Sequence, residues 1–250
     1  EELEFLARIL SYFNPSSGLK ITLESGAPPG SGLGGSSAMG TVFFMCCSKF
    51  FGENYDREKA IEIVQRIESK ILNAGPAGYQ DYYPSLYGGV LGLCAKIDKV
   101  DVKQLYSSNL AQYLTSCVKL IYSGESRQSG INNWEVYKKF FDGDKKTIEG
   151  LSLINELSSK ALKLLEANKF DELISLVSEE GELREKLFPT ILTDKMKAFK
   201  SDVKETMPEV GMKVCGAGGG GCFILIGKSF KGIDSLIEKY KMKELPFKVL

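Results

Sequence analysis

The stretch from Pro28 to Gly40, Pro-Pro-Gly-Ser-Gly-Leu-Gly-Gly-Ser-Ser-Ala-Met-Gly, restricts this chain more than any other. Its glycines let the backbone turn at positive φ and approach a ligand closely. A strand-like apolar run, Leu19–Glu24, precedes it, and a small, apolar, helix-like run from Ala38 to Phe51 follows. A strand, a glycine loop and a helix start make an anion site, because the N–H groups of the first helical turn point at negative charge. The loop is therefore expected to hold the phosphates of a nucleotide.

Global properties narrow the chemistry. The 250 residues suffice for one large domain or two small ones. Lys+Arg and Asp+Glu both number 32, so no net charge draws the chain to nucleic acid or an anionic membrane. Histidine is absent, which removes His-based acid–base catalysis, Ser-His-Asp triads and most zinc sites. What remains is carboxylates, backbone amides, hydroxyls, Lys/Arg or a carboxylate-held cation such as Mg²⁺. Cys46, Cys47, Cys94, Cys117, Cys215 and Cys222 form no C-x-x-C pair and lie mostly in apolar runs, so they read as buried, reduced thiols. No run approaches the ~18 apolar residues of a membrane span, and the start, Glu1-Glu2-Leu3-Glu4, is acidic where a secretory signal is basic. A cytoplasmic protein is expected, with a small-molecule substrate and neither nucleic acid nor membrane as partner, as a monomer or homodimer.

Periodicity predicts a helix over 1–13, a strand over Leu19–Glu24, and a helix over Ala38–Phe51 that is apolar all round and so buried. A further helix is predicted over Asp56–Leu72, with Ile61, Val64, Ile71 and Leu72 on one face. Glu68 falls within that apolar face. A buried carboxylate is costly unless paired or bound to a cation, so Glu68 reads either as a structural ion pair, with an arginine for instance, or as a metal ligand. Asp81 is the single acid in a stretch of glycines and tyrosines, Asn73–Gly89, and reads equally as a turn residue or as part of a walled site. Strands are predicted over Val90–Ile97 and Val118–Tyr122, the latter leading to Arg127 among small hydroxyl residues. Arg127 is either a phosphate clamp or a solvated side chain. Helices over 133–141, 147–167, 170–186, 194–205 and 232–241 follow, with a strand–glycine–strand unit at 212–226 and a last strand at 246–250.

Both glycine stretches satisfy G-x-G-x-x-G, at Gly30, Gly32 and Gly35 and at Gly216, Gly218 and Gly221. A dinucleotide fold also needs a strand directly before the turn and an acid ending a second strand about 20 residues on. Pro28-Pro29 interrupts the first requirement, and Gly52–Glu58 leads into a helix. A P-loop needs lysine where Ser36 stands. The remaining option is a lysine-free phosphate cradle of backbone amides with the Ser36 and Ser37 hydroxyls.

Pro29-Gly-x-Gly-Leu-Gly-Gly-Ser-Ser-Ala38 resembles the phosphate-binding motif of the GHMP kinases, which include galactokinase, homoserine kinase, mevalonate kinase and phosphomevalonate kinase. Lys213–Gly221 resembles their C-terminal glycine motif, and the order and separation of the two agree with the family over essentially the whole chain. Gly78-Tyr-Gln-Asp-x-Tyr83 with Gly88-Gly89 and, less strongly, Tyr122-Ser-Gly-x-Ser-Arg127 are similar to the D-glycero-D-manno-heptose 7-phosphate kinases. The resemblance implies an α+β, two-domain fold: an N-terminal ribosomal-S5-like domain over 1–112 and a ferredoxin-like domain over 113–250. It implies a Mg²⁺- and ATP-dependent kinase acting on a hydroxyl of a sugar or sugar phosphate, with mevalonate-type, galactose or fucose acceptors as alternatives. Pro29, Gly30, Gly32, Leu33, Gly34, Gly35, Ser36, Ser37 and Ala38 would cradle the ATP phosphates. Ser37 and Glu68 would hold Mg²⁺, and Asp81 would face the attacking hydroxyl. Tyr83, Arg127, Gly218 and Gly219 would contact the substrate. The family's first strand and its P-G-R-x-x-L/D-x-G motif have no counterpart in residues 1–25. The first strands of the N-terminal domain are thus expected to be missing, leaving a sheet edge exposed and the chain a catalytically impaired nucleotide- or sugar-binding relative as the competing reading.

Overall fold

A computed structural model describes residues 2–72, 77–126 and 131–249. The chain divides into two compact units, one comprising 1–28 and 34–103 and the other 29–33 and 104–250. The expected boundary at 112/113 falls inside a helix, and the division comes earlier, at 103/104. The segment Pro29–Leu33 belongs to the second unit although its neighbours on both sides belong to the first.

The first unit holds α1 (Glu2–Tyr12), α2 (Gly35–Phe50), α3 (Arg57–Leu72), α4 (Tyr82–Tyr87) and a two-stranded sheet of β1 (Leu91–Ala95) and β2 (Val100–Gln104), whose last residue opens the second unit. Phe5 and Ile9 of α1 and Phe13 just after it pack with Phe43, Phe44 and Cys47 of α2 and with Ala60, Ile61 and Val64 of α3. The close approach of α1 to α2 requires Gly40, since a Cβ there would lie 2.5 Å from the Phe5 ring. The expectation that α2 is buried all round is corrected: Val42, Cys46 and Phe50 are exposed on one face. Cys46 is likewise an exception to the expected buried thiols, and all six cysteines are free. Leu19–Glu24 forms no strand; all six residues are exposed and no partner strand pairs with them among the described residues.

The second unit holds α5 (Ser108–Cys117), β3 (Val118–Tyr122), α6 (Asn133–Phe141), α7 (Lys145–Glu166), α8 (Leu173–Leu187), α9 (Asp194–Thr206), β4 (Gly211–Val214), β5 (Cys222–Ile226), α10 (Ile233–Lys239) and β6 (Lys243–Leu245). Side chains cap four of its helices: Ser107 accepts from the Leu110 amide, Asn132 from Trp134, Asp144 from Thr147 and Thr193 from Met196. The strands run in the order β4-β5-β3-β6, each pair antiparallel. Ile121, Phe223 and Leu225 of this sheet pack on Met196, Phe199 and Val203 of α9. The last strand ends at Leu245, where 246–250 was expected, because Pro246 has no N–H to continue the ladder.

The edge strand β4 is covered by α8. Cys215 donates to Cys222 across the end of the β4–β5 pair, so by antiparallel alternation the carbonyls of Met212 and Val214 point away from β5. Arg184 of α8 donates to the Val214 carbonyl at 3.3 Å. Gly181 of α8 lies so close that a Cβ would fall 2.3 Å from the Met212 carbonyl oxygen. Helix propensity favours alanine over glycine at such a position by about 0.8–1 kcal/mol, but overpacking against backbone costs typically 1–3 kcal/mol. Gly181→Ala should therefore destabilise the protein by about 1 kcal/mol or more. Urea unfolding checks this, and a stabilised variant would show that α8 is free to move off the sheet.

Candidate active site

In the first unit the glycine stretch becomes a helix at Gly34. This residue is the N-cap of α2 in the left-handed conformation, φ 71°, and no side chain caps the helix. The first turn of α2 carries no acidic residue, so the N–H groups of Gly35, Ser36 and Ser37 precede any intrahelical acceptor. The site thus keeps the features an anion requires.

Two carboxylates stand at this helix start. Glu68 of α3 is 8% exposed. It accepts from Ser36 Oγ at 2.7 Å, from Ser37 Oγ at 3.4 Å and from the Tyr82 hydroxyl in a short hydrogen bond. Among the described residues no lysine or arginine pairs with it, so the arginine ion pair does not form there. Asp81 is the residue before α4, and its side chain makes no capping hydrogen bond. It packs against the Gly34 backbone so tightly that a Cβ on Gly34 would lie 2.8 Å from the Asp81 Cβ. Burial, and secondly the charge of Glu68, push the Asp81 carboxyl above its ordinary value.

A buried polar chain fixes α4 against α2. The Thr41 hydroxyl donates within α2 to the Ser37 carbonyl and lies 2.6 Å from the Ser85 hydroxyl, which in turn lies 2.6 Å from the Tyr82 carbonyl. Loop residue Ala77 is tied to α3 on both sides of its peptide: its N–H donates to Ser69 Oγ and its carbonyl accepts from Gln65 Nε2. Asp81 and Tyr82 are therefore held from two helices. Tyr82 was missed in the sequence, where Tyr83 was expected at the substrate. Tyr83 is instead a core side chain, with its ring 6.3 Å from that of Tyr79 and 6.0 Å from that of Tyr87. Adjacent residues of one short helix point to different faces, and Tyr82 is the one that reaches Glu68.

The second unit holds the other half of the glycine stretch. Cys222 N–H donates to the Ser31 carbonyl at 2.7 Å, and a Cβ on Gly32 would lie 2.9 Å from the Cys215 carbonyl oxygen. Gly221 meets Ser31 equally closely, at 2.6 Å from a built Cβ. Gly218 and Gly219, both at positive φ, pack on the Ile191 carbonyl, with Gly219 N–H donating to it at 2.9 Å. Arg184 fixes this segment by donating to the Gly216 carbonyl at 2.8 Å, and Lys213 pairs with Glu180 beside it. Burial raises the Cys215 thiol to about 12, so it is an inert packing group at neutral pH. Arg127 lies outside the described residues.

No group of three or more Asp, Glu, Cys or His side chains forms a ready-made metal cluster among the described residues. Mg²⁺ is held through one or two carboxylates plus substrate phosphates and needs no such cluster. A buried carboxylate whose donors are all neutral hydroxyls, at an uncapped helix start, fits such a cation and its phosphate ligands.

Residues 3–89 match the family described as GHMP kinases N terminal domain. The match begins within α1. A bifunctional fucokinase/GDP-fucose pyrophosphorylase from Arabidopsis thaliana is 25% identical over 236 residues, covering 91% of this chain and 22% of that protein. Mevalonate kinase from Saccharolobus solfataricus is 25% identical over 230 residues, covering 90% of this chain and 67% of that protein. Among solved structures, a D-glycero-D-manno-heptose 1-phosphate kinase from Bacteroides thetaiotaomicron superposes with a TM-score of 0.70 at 19% identity, covering 99% of this chain and 71% of that one. The chain thus spans about a fifth of the plant relative and two thirds of the archaeal one. It has the α+β, two-domain fold of the GHMP kinases.

Two outcomes follow from the carboxylates. Tyr82→Phe removes a hydrogen bond to a charged, buried group and should cost about 1.5–3 kcal/mol in denaturant unfolding. Asp81→Asn should raise the Tm of the protein at pH 7.5 in chelator-containing buffer. The folded-state carboxyl titrates above its ordinary value, so its contribution is intact at low pH and is lost as pH rises through the folded value. The advantage of the asparagine variant should therefore vanish below pH ~4, the ordinary carboxylate range. An unchanged Tm difference across that range would refute the assigned cause.

Proposed function

We propose that this chain catalyses transfer of the γ-phosphoryl group of ATP to a hydroxyl of a sugar or sugar phosphate, of the heptose phosphate type. The observation that carries the reading is the pair Glu68 and Asp81 at the uncapped start of α2. In this reading Pro29, Gly30, Gly32, Leu33, Gly34, Gly35, Ser36, Ser37 and Ala38 receive the phosphates. Glu68, with the Ser36 and Ser37 hydroxyls, holds Mg²⁺. Bound there, the cation supplies charge neutralisation on the phosphate oxygens.

Asp81 orients the acceptor hydroxyl and takes its proton as the acceptor oxygen forms a bond to the γ-phosphorus and the bond to the ADP oxygen breaks. Its raised basicity suits the role. Phosphoryl transfer depends on positioning and electrostatics, so a chain without histidine is equipped for it. The sugar acceptor draws support from the tyrosine–aspartate stretch and from the fucokinase and heptose-phosphate kinase relatives. A mevalonate-type acceptor is the second reading, supported by the archaeal relative.

The test is ADP release with heptose 7-phosphate, fucose, galactose and mevalonate as acceptors. A sugar or sugar phosphate should be turned over, and Asp81→Asn should lower kcat by about 10²–10⁴ while ATP still binds. Full activity in that variant overturns the role of Asp81. Turnover of mevalonate alone selects the second reading. Nucleotide binding with no ADP release on any acceptor overturns the kinase reading in favour of a non-catalytic nucleotide-binding relative.

A further inference from the structure

We infer that Tyr82 is a positioning residue that makes the cation site selective for Mg²⁺ over Ca²⁺, an inference that rests on the proposed role of Glu68 as a metal ligand. Tyr82 holds one oxygen of Glu68, so that only the other can bind metal. The Glu68 carboxylate has two unlike sides. Oε1 accepts from Ser36, an exposed residue in the first turn of α2. Oε2 accepts from the Tyr82 hydroxyl in a short hydrogen bond and from Ser37 at 3.4 Å. Tyr82 is fully buried and belongs to the core of the first unit with Phe44, Ile61 and Val64. Its backbone is fixed as well. The N–H donates to the Tyr79 carbonyl at 3.2 Å, and the carbonyl accepts from Ser85 Oγ at 2.6 Å. One carboxylate oxygen thus lies on the side of the accessible helix start, and the other is held from the core.

The donors differ in what they can do when a cation arrives. A serine hydroxyl is donor and acceptor at once, so Ser36 and Ser37 can rotate to offer a lone pair to metal. The Tyr82 hydroxyl cannot follow. Its oxygen is carried by a packed aromatic ring, and its proton has Glu68 as acceptor. Oε2 therefore stays engaged, and Glu68 offers Oε1 alone. A single carboxylate oxygen suits Mg²⁺, which demands near-ideal octahedral geometry at about 2.0–2.1 Å and takes its other ligands from water and phosphates. Ca²⁺ takes about 6–8 oxygens at longer distances and accepts a carboxylate through both oxygens. Withholding Oε2 removes a ligand that Ca²⁺ would use and Mg²⁺ does not need.

Isothermal titration calorimetry with β,γ-imido-ATP in saturating Mg²⁺, in saturating Ca²⁺ and in chelator tests this on the wild-type chain, Tyr82→Phe and Thr41→Val, with circular dichroism confirming that each is folded. The wild type should bind the nucleotide more tightly with Mg²⁺ than with Ca²⁺. Tyr82→Phe should lower that preference about tenfold, the scale of one hydrogen bond to a charged group, by tightening the Ca²⁺ complex. Thr41→Val removes the Thr41–Ser85 tie between α2 and α4 without touching Glu68, and should leave the preference unchanged. Equal affinity with the two cations in the wild type overturns the inference, whether or not the variants fold. So does an unchanged preference in Tyr82→Phe, or an equal shift in Thr41→Val, which would assign the effect to a loosened α4. Wild-type binding that is as tight in chelator as with either cation overturns the role of Glu68 as a metal ligand, and the inference with it.

Discussion

The first unit depends on one buried carboxylate. Taking Glu68 out of water is costly unless its oxygens find donors. The donors come from two other helices, Ser36 and Ser37 of α2 and Tyr82 of α4. Satisfying the charge therefore fixes the first turn of α2 over α3 and draws the start of α4 to the same point. Thr41 and Ser85 add a second tie between α2 and α4. Asp81 precedes Tyr82 in the chain, so the placement of the tyrosine also delivers the second carboxylate to the Gly34 backbone. The arrangement keeps a like charge close to Glu68, an electrostatic cost that a folded protein tolerates at sites shaped by function more than by stability.

The second unit depends on backbone meeting backbone. Added Cβ atoms on Gly32, Gly216, Gly218 and Gly221 would all lie within 2.9 Å of a carbonyl oxygen. Glycine is required there whether or not a ligand binds, because real side chains do not tolerate such distances. The run from 216 to 221 is thus explained first by packing on Ser31, Gly32 and Ile191. A glycine-rich signature by itself is weak evidence for a phosphate site.

Most of the helices were legible in the sequence because their apolar spacing is helical and long: α3, α7, α8 and α9 begin and end within a few residues of expectation. Glu68 was legible as an acid on an apolar face. Elements set by tertiary pairing were not. Val100–Gln104, with an aspartate and a lysine in five residues, has too weak a pattern to announce β2. Leu19–Glu24 has the right pattern but no partner strand among the described residues. Pro246 moved the final strand toward the N-terminus, because the pairing partners Leu120–Tyr122 meet residues with N–H groups to give. Within the site, Asp81 and the serines were visible as residue types in an unusual stretch. Tyr82 was not distinguished from Tyr83, because two adjacent tyrosines differ only in the face of a six-residue helix they occupy.

In the proposed reaction the two carboxylates divide the work through their surroundings. Both oxygens of Glu68 are engaged by hydroxyl donors, which hold it rigid and leave it suited to a fixed electrostatic task. Asp81 takes no hydrogen bond from the described residues, is partly buried, and titrates above its ordinary range because of that burial and its neighbour. A group with open acceptor capacity and raised basicity is the one able to take a proton in transit. Neighbouring titratable groups whose environments set them apart are the usual mark of separate roles in catalysis. The distinction comes from the number of hydroxyls each acid meets, three against none, and the chain achieves it without a single histidine.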